Sequence, residues 1–174
     1  MNYFEFFDLP VRFILDEAAL KRQFYANSKK YHPDFYTLAP EAKQAEILEL
    51  STLNNQAYQT LADFDKRMKY LLDLKGALAE EGKNKLPQAF LLEMMDINEA
   101  LMELEFDFEP EAYQSVLSSL EEQQNALDTS AATALANYED RLEQADLLDT
   151  IKNYYLKKRY LLSIKENLNK FASL

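Results

Sequence analysis

Tyr31-His32-Pro33-Asp34 interrupts the helical periodicity that runs up to it and resumes after it. Pro33 fixes its own φ, has no backbone N–H to donate, and pushes the residue before it out of the α region. A helix entering this stretch therefore stops near Tyr31. His32 and Asp34 are left on a bend with their side chains toward water. His32 is the only histidine in the chain. An imidazole and a carboxylate flanking a proline make a polar contact point that a partner can read.

Upstream, Asn2 with Glu5 three residues later has the form of a helix N-cap and its reciprocal partner. This short first helix ends by Leu9, because Pro10 follows. Asp16 caps the second helix, and Leu15 can staple onto Leu20. Leu20, Phe24, Asn27 and Tyr31 then share one face, while Arg22 and Lys29 share another with Tyr25. Lys21, Arg22, Lys29 and Lys30 meet no acidic residue between Ala18 and Pro33. Charge alone leaves two readings of these bases, a solvated helix side or a docking face. The adjacent loop favours the second.

Downstream, Pro40 and Glu41 mark a helix start, with proline in the first turn and an acid at the positive dipole end. Ile47, Leu50, Leu53 or Asn54, Ala57 and Leu61 form its inward stripe. The two helices pack antiparallel with the His-Pro-Asp loop at the tip of the hairpin. Asp65 to Leu72 closes this domain, residues 1–75, as a short helix. Both glycines, Gly76 and Gly82, fall before Pro87, which marks residues 76–86 as a linker.

Residues 87–174 read as long amphipathic helices. One begins at Pro87, with Phe90, Met94, Ile97, Leu101, Leu104 and Phe108 inward at alternating spacings of four and three. The next begins at Pro110 and turns Tyr113, Val116, Leu117, Leu120, Leu127, Ala131, Leu135, Tyr138 and Leu142 inward. It reads as one helix, because no Gly or Pro occurs after Pro110, with a break at Asp128-Thr129-Ser130 as the alternative. The last runs from about Asp146, with Leu147, Ile151, Tyr154, Leu161, Ile164, Leu168 and Phe171 inward. Three such helices make an antiparallel three-helix bundle. The fold class is thus all-α, a helical hairpin with short flanking helices followed by a bundle.

The absence of cysteine removes disulfides, thiolate metal sites and cysteine catalysis, and one histidine removes a histidine-cluster metal site. No glycine-rich phosphate loop or nucleophile motif is present, so no catalytic residue, metal or cofactor is expected. The rival enzyme reading would use His32 and Asp34 as an acid–base pair. The first residues are acidic without a basic leader, and no apolar run reaches membrane-spanning length, which predicts a cytoplasmic protein without a membrane partner. Residues 88–149 hold 16 acidic groups against Arg141 alone, whereas residues 150–174 hold 6 basic groups against Glu166. An acidic middle of this kind repels phosphate backbones, so nucleic acid is not an expected partner and a basic or mixed protein is.

The helix after Pro87 holds more apolar residues than its seam uses. At about 100° per residue from Phe90, Leu91, Met95 and Leu92 fall near 100°, 140° and 200°. Glu99, Glu103 and Asp96 fall near 180°, 220° and 240° on the same count. The face opposite the core therefore carries an apolar spot running into an acidic row. It is either a contact site or a second face buried against the other two helices or against the first domain.

The order of these parts resembles a J-domain, the module that stimulates DnaK-type chaperone ATPases, followed by an acidic bundle, and the whole resembles the HscB-type co-chaperones of iron–sulfur cluster assembly. The matching strings are Tyr3-Phe4 with Phe7 and Leu9-Pro10, then Tyr31-His32-Pro33-Asp34, Asn55-Gln56-Ala57 with Gln59-Thr60-Leu61, Tyr70-Leu71-Leu72, and Ala89-Phe90-Leu91-Leu92-Glu93 with Glu99 and Leu101. The match spans nearly the whole chain, though only in pattern over residues 110–150. The resemblance implies an HscA-type chaperone as partner of His32, Pro33, Asp34, Arg22, Lys29 and Lys30. It implies an IscU-type iron–sulfur scaffold as partner of Leu91, Leu92, Met95, Asp96, Glu99, Glu103 and Tyr160. A different client of the same bundle is the alternative. Tyr25 and Ala26 stand where many J-domains carry a Lys-Arg pair, so chaperone docking must rest on Arg22, Lys29 and Lys30. Met95 and Asp96 replace the family's usual leucine and glutamate.

Overall fold

The computed structural model describes residues 1–80, 82–139 and 144–171. Among these the chain is all-helical, in the order α1 (Tyr3–Phe6), α2 (Glu17–Lys30), a 3-10 turn (Pro33–Tyr36), α3 (Glu41–Ala62), α4 (Phe64–Leu74), α5 (Gln88–Glu93), α6 (Met95–Phe106), α7 (Pro110–Asn137) and α8 (Ala145–Phe171). Two compact units result. The first is Met1–Lys75 together with Tyr138 and Glu139, and the second takes the remaining described residues from Gly76 on.

In the first unit the sequence signals for helix starts act as read. Asn2 Oδ1 accepts the Glu5 N–H at 3.0 Å and Glu5 Oε2 accepts the Asn2 N–H at 3.0 Å, a complete capping box. Asp16 accepts the Ala19 N–H and starts α2. The fourth helix is longer than Asp65 to Leu72, because Asp63 caps it by accepting the Lys66 N–H at 2.9 Å. The short α1 is held from outside. The Tyr3 N–H donates to the Tyr70 hydroxyl at 2.9 Å, and the two rings stack at 4.4 Å. Burial pushes the Tyr70 hydroxyl pKa up.

α2 and α3 form the hairpin. Phe24 stacks on Tyr58 at 4.1 Å, and the Asn54 amide donates to the Phe24 carbonyl at 3.2 Å and the Ser28 hydroxyl at 3.0 Å. These two acceptors decide the register. Asn54 is fully buried, while Leu50 and Leu53, expected on the inward stripe, are only half-buried. Leu20, Ile47, Ala57 and Leu61 fill the core with Phe4, Phe7, Phe13, Met68, Leu71 and Leu72.

Arg67 is the buried charge of this unit. Its Nε donates to the Phe13 carbonyl at 2.8 Å, and its Nη1 donates to the Leu61 carbonyl. Leu61 lies in the last turn of α3, where helix geometry leaves carbonyls without intrahelical donors. The guanidinium fork therefore joins an irregular segment to a helix end. Burial pushes its pKa down from the ordinary arginine value. Arg67→Met keeps the bulk but strips both carbonyls of their donor. It should destabilise the chain by about 3 kcal/mol, each unsatisfied buried carbonyl costing roughly 1–3 kcal/mol. Urea unfolding should show a lower midpoint at unchanged slope. An unchanged midpoint would show that the two bonds contribute nothing.

Tyr138 corrects a second expectation. α7 ends at Asn137, and the Tyr138 ring packs edge-on against Phe13 at 4.9 Å within the first unit. The helical period marks Tyr138 as buried without specifying which partner buries it. Leu142, the next residue of that stripe, lies outside the described residues.

In the second unit Phe90, Met94, Ile97, Leu104, Val116, Leu120, Leu161, Ile164 and Leu168 form one cluster, with Leu101, Tyr113, Leu117 and Leu127 half-buried against it. α7 runs through Asp128-Thr129-Ser130 without a break. The Tyr154 hydroxyl donates to Asp128 Oδ1 at 2.6 Å, which ties this stretch to α8, and Ser130 Oγ donates back to the Leu127 carbonyl without interrupting the helix. The helix after Pro87, in contrast, is not continuous. It divides at Met94 (φ −85, ψ −4) into α5 and α6. The Met94 carbonyl accepts both the Asn98 N–H at 3.0 Å and the Asn98 side-chain amide at 2.9 Å. The Asn98 amide adds a second donor to that carbonyl without displacing the backbone bond, so it braces the break from the α6 side. Phe108, expected on the seam, is exposed. The helix ends at Phe106, Asp107 turns extended, and the Phe108 ring meets Tyr113 at 5.7 Å. Gly76 and Gly82, between the two domains read from the sequence, have φ of 64 and 79, which suit glycine.

Candidate functional site

His32-Pro33-Asp34 is more ordered than a bend. His32 is the N-cap of the 3-10 turn, and its Nδ1 accepts the Asp34 N–H at 3.3 Å. Pro33 occupies the first turn position, where a missing N–H costs nothing. With Nδ1 accepting, the neutral imidazole carries its proton on Nε2. Asp34 Oδ2 stands 3.7 Å from Nδ1, and the two side chains are 52% and 83% exposed. The turn is braced from its far end by the Tyr36 hydroxyl, which donates at 2.9 Å to the Lys30 carbonyl at the close of α2. Phe35 lies with its ring 5.6 Å from the imidazole and is exposed. Pro33, Asp34 and Tyr36 also line one wall of an open cleft of about 330 Å³ whose other wall is the start of α3, including Ile47 and Leu48.

Arg22, Lys29 and Lys30 are all exposed on α2. Lys29 and Lys30 occupy the last turn, where cations suit the negative end of the helix dipole. The Lys30 ammonium lies 5.0 Å from the Tyr31 ring centroid. Neither Arg22 nor Lys29 is ion-paired among the described residues, so their charge is available to a partner.

The second constellation lies on α5 and α6. Leu91 and Leu92 are exposed on α5, and Met95, Asp96, Glu99 and Glu103 are exposed on α6. Leu92 is 60% and Met95 50% exposed, whereas Met94 between them is fully buried. Within the second unit these side chains are therefore not buried against the other two helices. Tyr160 differs from the others in being half-buried. Its hydroxyl accepts from the Asn98 amide at 2.9 Å, and its ring meets Phe90 edge-on at 5.6 Å. Asn98 thus links the α5–α6 break to α8, a role that helical spacing gave no sign of. Lys157, 5.4 Å from the Phe90 ring, is a further cation at this end of α8 that sequence reading did not single out. Among the described residues no cluster of His, Asp or Glu is placed to hold a metal, and no helix is long and apolar enough to cross a membrane.

Comparison with known proteins gives consistent relatives. A family model described as the HSCB C-terminal oligomerisation domain matches residues 86–169. The co-chaperone protein HscB homologue of Vibrio cholerae serotype O1 (strain M66-2) is 39% identical over 113 residues, covering 64% of this chain and 66% of that protein. The corresponding protein of Burkholderia multivorans (strain ATCC 17616 / 249) is 32% identical over 126 residues, 72% of each chain. Among solved structures, chaperone HscB from Vibrio cholerae aligns with a TM-score of 0.58 at 31% identity, over 97% of this chain and 99% of that one. Human co-chaperone protein HscB aligns with a TM-score of 0.70 at 28% identity, over 97% of this chain and 81% of that one.

Proposed function

Since the chain belongs to the HscB co-chaperone family, we propose that it is a non-catalytic cytoplasmic adaptor of iron–sulfur cluster assembly, which brings an IscU-type scaffold to an HscA-type chaperone and stimulates that chaperone's ATPase. The observation that carries this reading is the exposed His-Pro-Asp turn, fixed by its own hydrogen bonds at the tip of a hairpin whose first helix is basic. A turn whose backbone and imidazole are held before contact loses less conformational freedom on binding. We read the His32 and Asp34 pair as a contact and not as a catalytic couple, a reading that suits side chains 52% and 83% exposed. The exposed apolar and acidic residues of α5 and α6 supply the separate surface that an adaptor needs for its client.

The deciding experiment measures ATP hydrolysis by an HscA-type chaperone alone, with this protein, and with this protein plus an IscU-type scaffold. Stepwise stimulation supports the proposal. Stimulation by the protein that no scaffold enhances would favour the alternative, a J-domain adaptor for another client.

The basic face of α2 makes its own prediction. Arg22→Glu with Lys29→Glu should weaken chaperone binding, mainly by slowing association, and binding of the unaltered chain should weaken as salt rises. Stopped-flow association rates across a salt series test both. Rates indifferent to ionic strength would mean that these bases are only solvated.

A further inference from the structure

α6 exposes more apolar surface than the residues assigned above account for. With Met95 at zero and about 100° per residue, Met102 falls near 340° and Phe106 near 20°, so Met102 and Phe106 are neighbours one turn apart on the side that Met95 occupies two turns earlier, with Asn98 and Glu99 in the turn between. Ile97 and Leu104, which are buried, fall near 200° and 180° on the same count. The pair therefore lies on the side away from the core, and packing within the bundle does not require it. Met102 is 59% and Phe106 90% exposed. A helix side turned to water is ordinarily polar, and two large exposed apolar side chains one turn apart mark an interaction surface. Methionine adapts its shape to a partner, and an aromatic side chain supplies large contact area.

Charge narrows the choice of partner. Glu99, Glu103 and Asp96 run along one edge of this side, near 40°, 80° and 100° by about 100° per residue, and Glu105 flanks the other edge. A second copy docked face to face would set these acids against each other, which is unfavourable. We propose that the client-docking face runs the full length of α6 through Met102 and Phe106, and that it takes a protein surface in which an apolar ridge is bordered by lysines or arginines. The inference rests on the scaffold reading above and makes the scaffold, through such a surface, the occupant.

The test is calorimetric titration of an apo IscU-type scaffold into the full chain, into Met102→Gln with Phe106→Gln, and into Leu92→Ala with Met95→Ala, with sedimentation velocity on each. Glutamine keeps helix propensity, so helicity and thermal midpoint of the Met102/Phe106 variant should match the unaltered chain. Its Kd should rise by about tenfold or more, as expected of exposed apolar anchors at an interface. Met102→Lys alone should weaken binding further by placing a cation against the basic border. Unaltered affinity in the Met102/Phe106 variant, with weakened affinity in the Leu92/Met95 variant, overturns the extended face and leaves the scaffold reading standing. No binding to the unaltered chain overturns both. A self-associating chain that the Met102/Phe106 changes convert to monomer at unchanged scaffold affinity makes the pair a self-contact, and a fall in thermal midpoint makes it structural; either overturns the proposal.

Discussion

His32→Gln and Asp34→Asn should each return the chaperone's ATP hydrolysis to its unstimulated rate while leaving helicity and unfolding midpoint close to those of the unaltered chain. The structural cost is small because both side chains face water. Their one shared bond, from the Asp34 N–H to Nδ1, is exposed and 3.3 Å long. Glutamine gives up that bond at little cost, because the freed Asp34 N–H can turn to water, and asparagine keeps the shape of aspartate. Changes at such positions shift stability by less than about 0.5 kcal/mol. The functional cost is large if the pair is the contact itself. Asp34→Asn removes the charge that a partner cation would meet, and His32→Gln removes the ring that lies beside Phe35 and accepts the Asp34 N–H. Chaperone ATPase assays beside equilibrium unfolding separate the two costs. Full stimulation by both variants would mean that the turn is not the trigger. Unfolding of either would make that residue structural and remove the basis for docking.

Much of this architecture is legible in the chain because local chemistry fixes it. Asn2 and Asp16 set helix starts by accepting N–H groups three positions away, and Pro33 acts through its fixed φ and missing N–H, so each can be read without knowing the fold. The hairpin and the bundle follow from periods of apolar residues. What escaped reading depends on partners distant in sequence. The α5–α6 break is tied to Asn98 and, through it, to Tyr160. Arg67 looks like one more surface cation until the carbonyls of Phe13 and Leu61 are in place around it. Tyr138 lies on the right period for the bundle yet packs with Phe13. Phe106 shows the opposite case. It falls outside the inward seam, and a pattern search for core residues passes over it, although its exposure makes it one of the more informative apolar side chains in the second unit.

Leu92→Ala with Met95→Ala should raise the Kd for an IscU-type scaffold by about thirtyfold, the equivalent of roughly 2 kcal/mol and the range of interface hot spots. Stability should hardly change, since these side chains are 60% and 50% exposed and truncation leaves no cavity. Neighbouring residues on the same two helices should behave in the reverse way. Ile97 and Leu104 belong to the packed cluster with α7 and α8. Truncating either to alanine removes buried methyl groups and leaves a void, which should cost roughly 2–5 kcal/mol. Glu99→Lys and Glu103→Lys should lower scaffold affinity by reversing the charge of the acidic edge without unfolding the bundle. In the ATPase assay the stimulation due to this protein alone should survive all the surface changes, because the His-Pro-Asp turn is untouched. The added stimulation brought by scaffold should be lost. Denaturation curves arbitrate between site and core. If the Leu92/Met95 variant loses stability on the scale of Ile97→Ala, those side chains support the fold and the scaffold site must lie elsewhere.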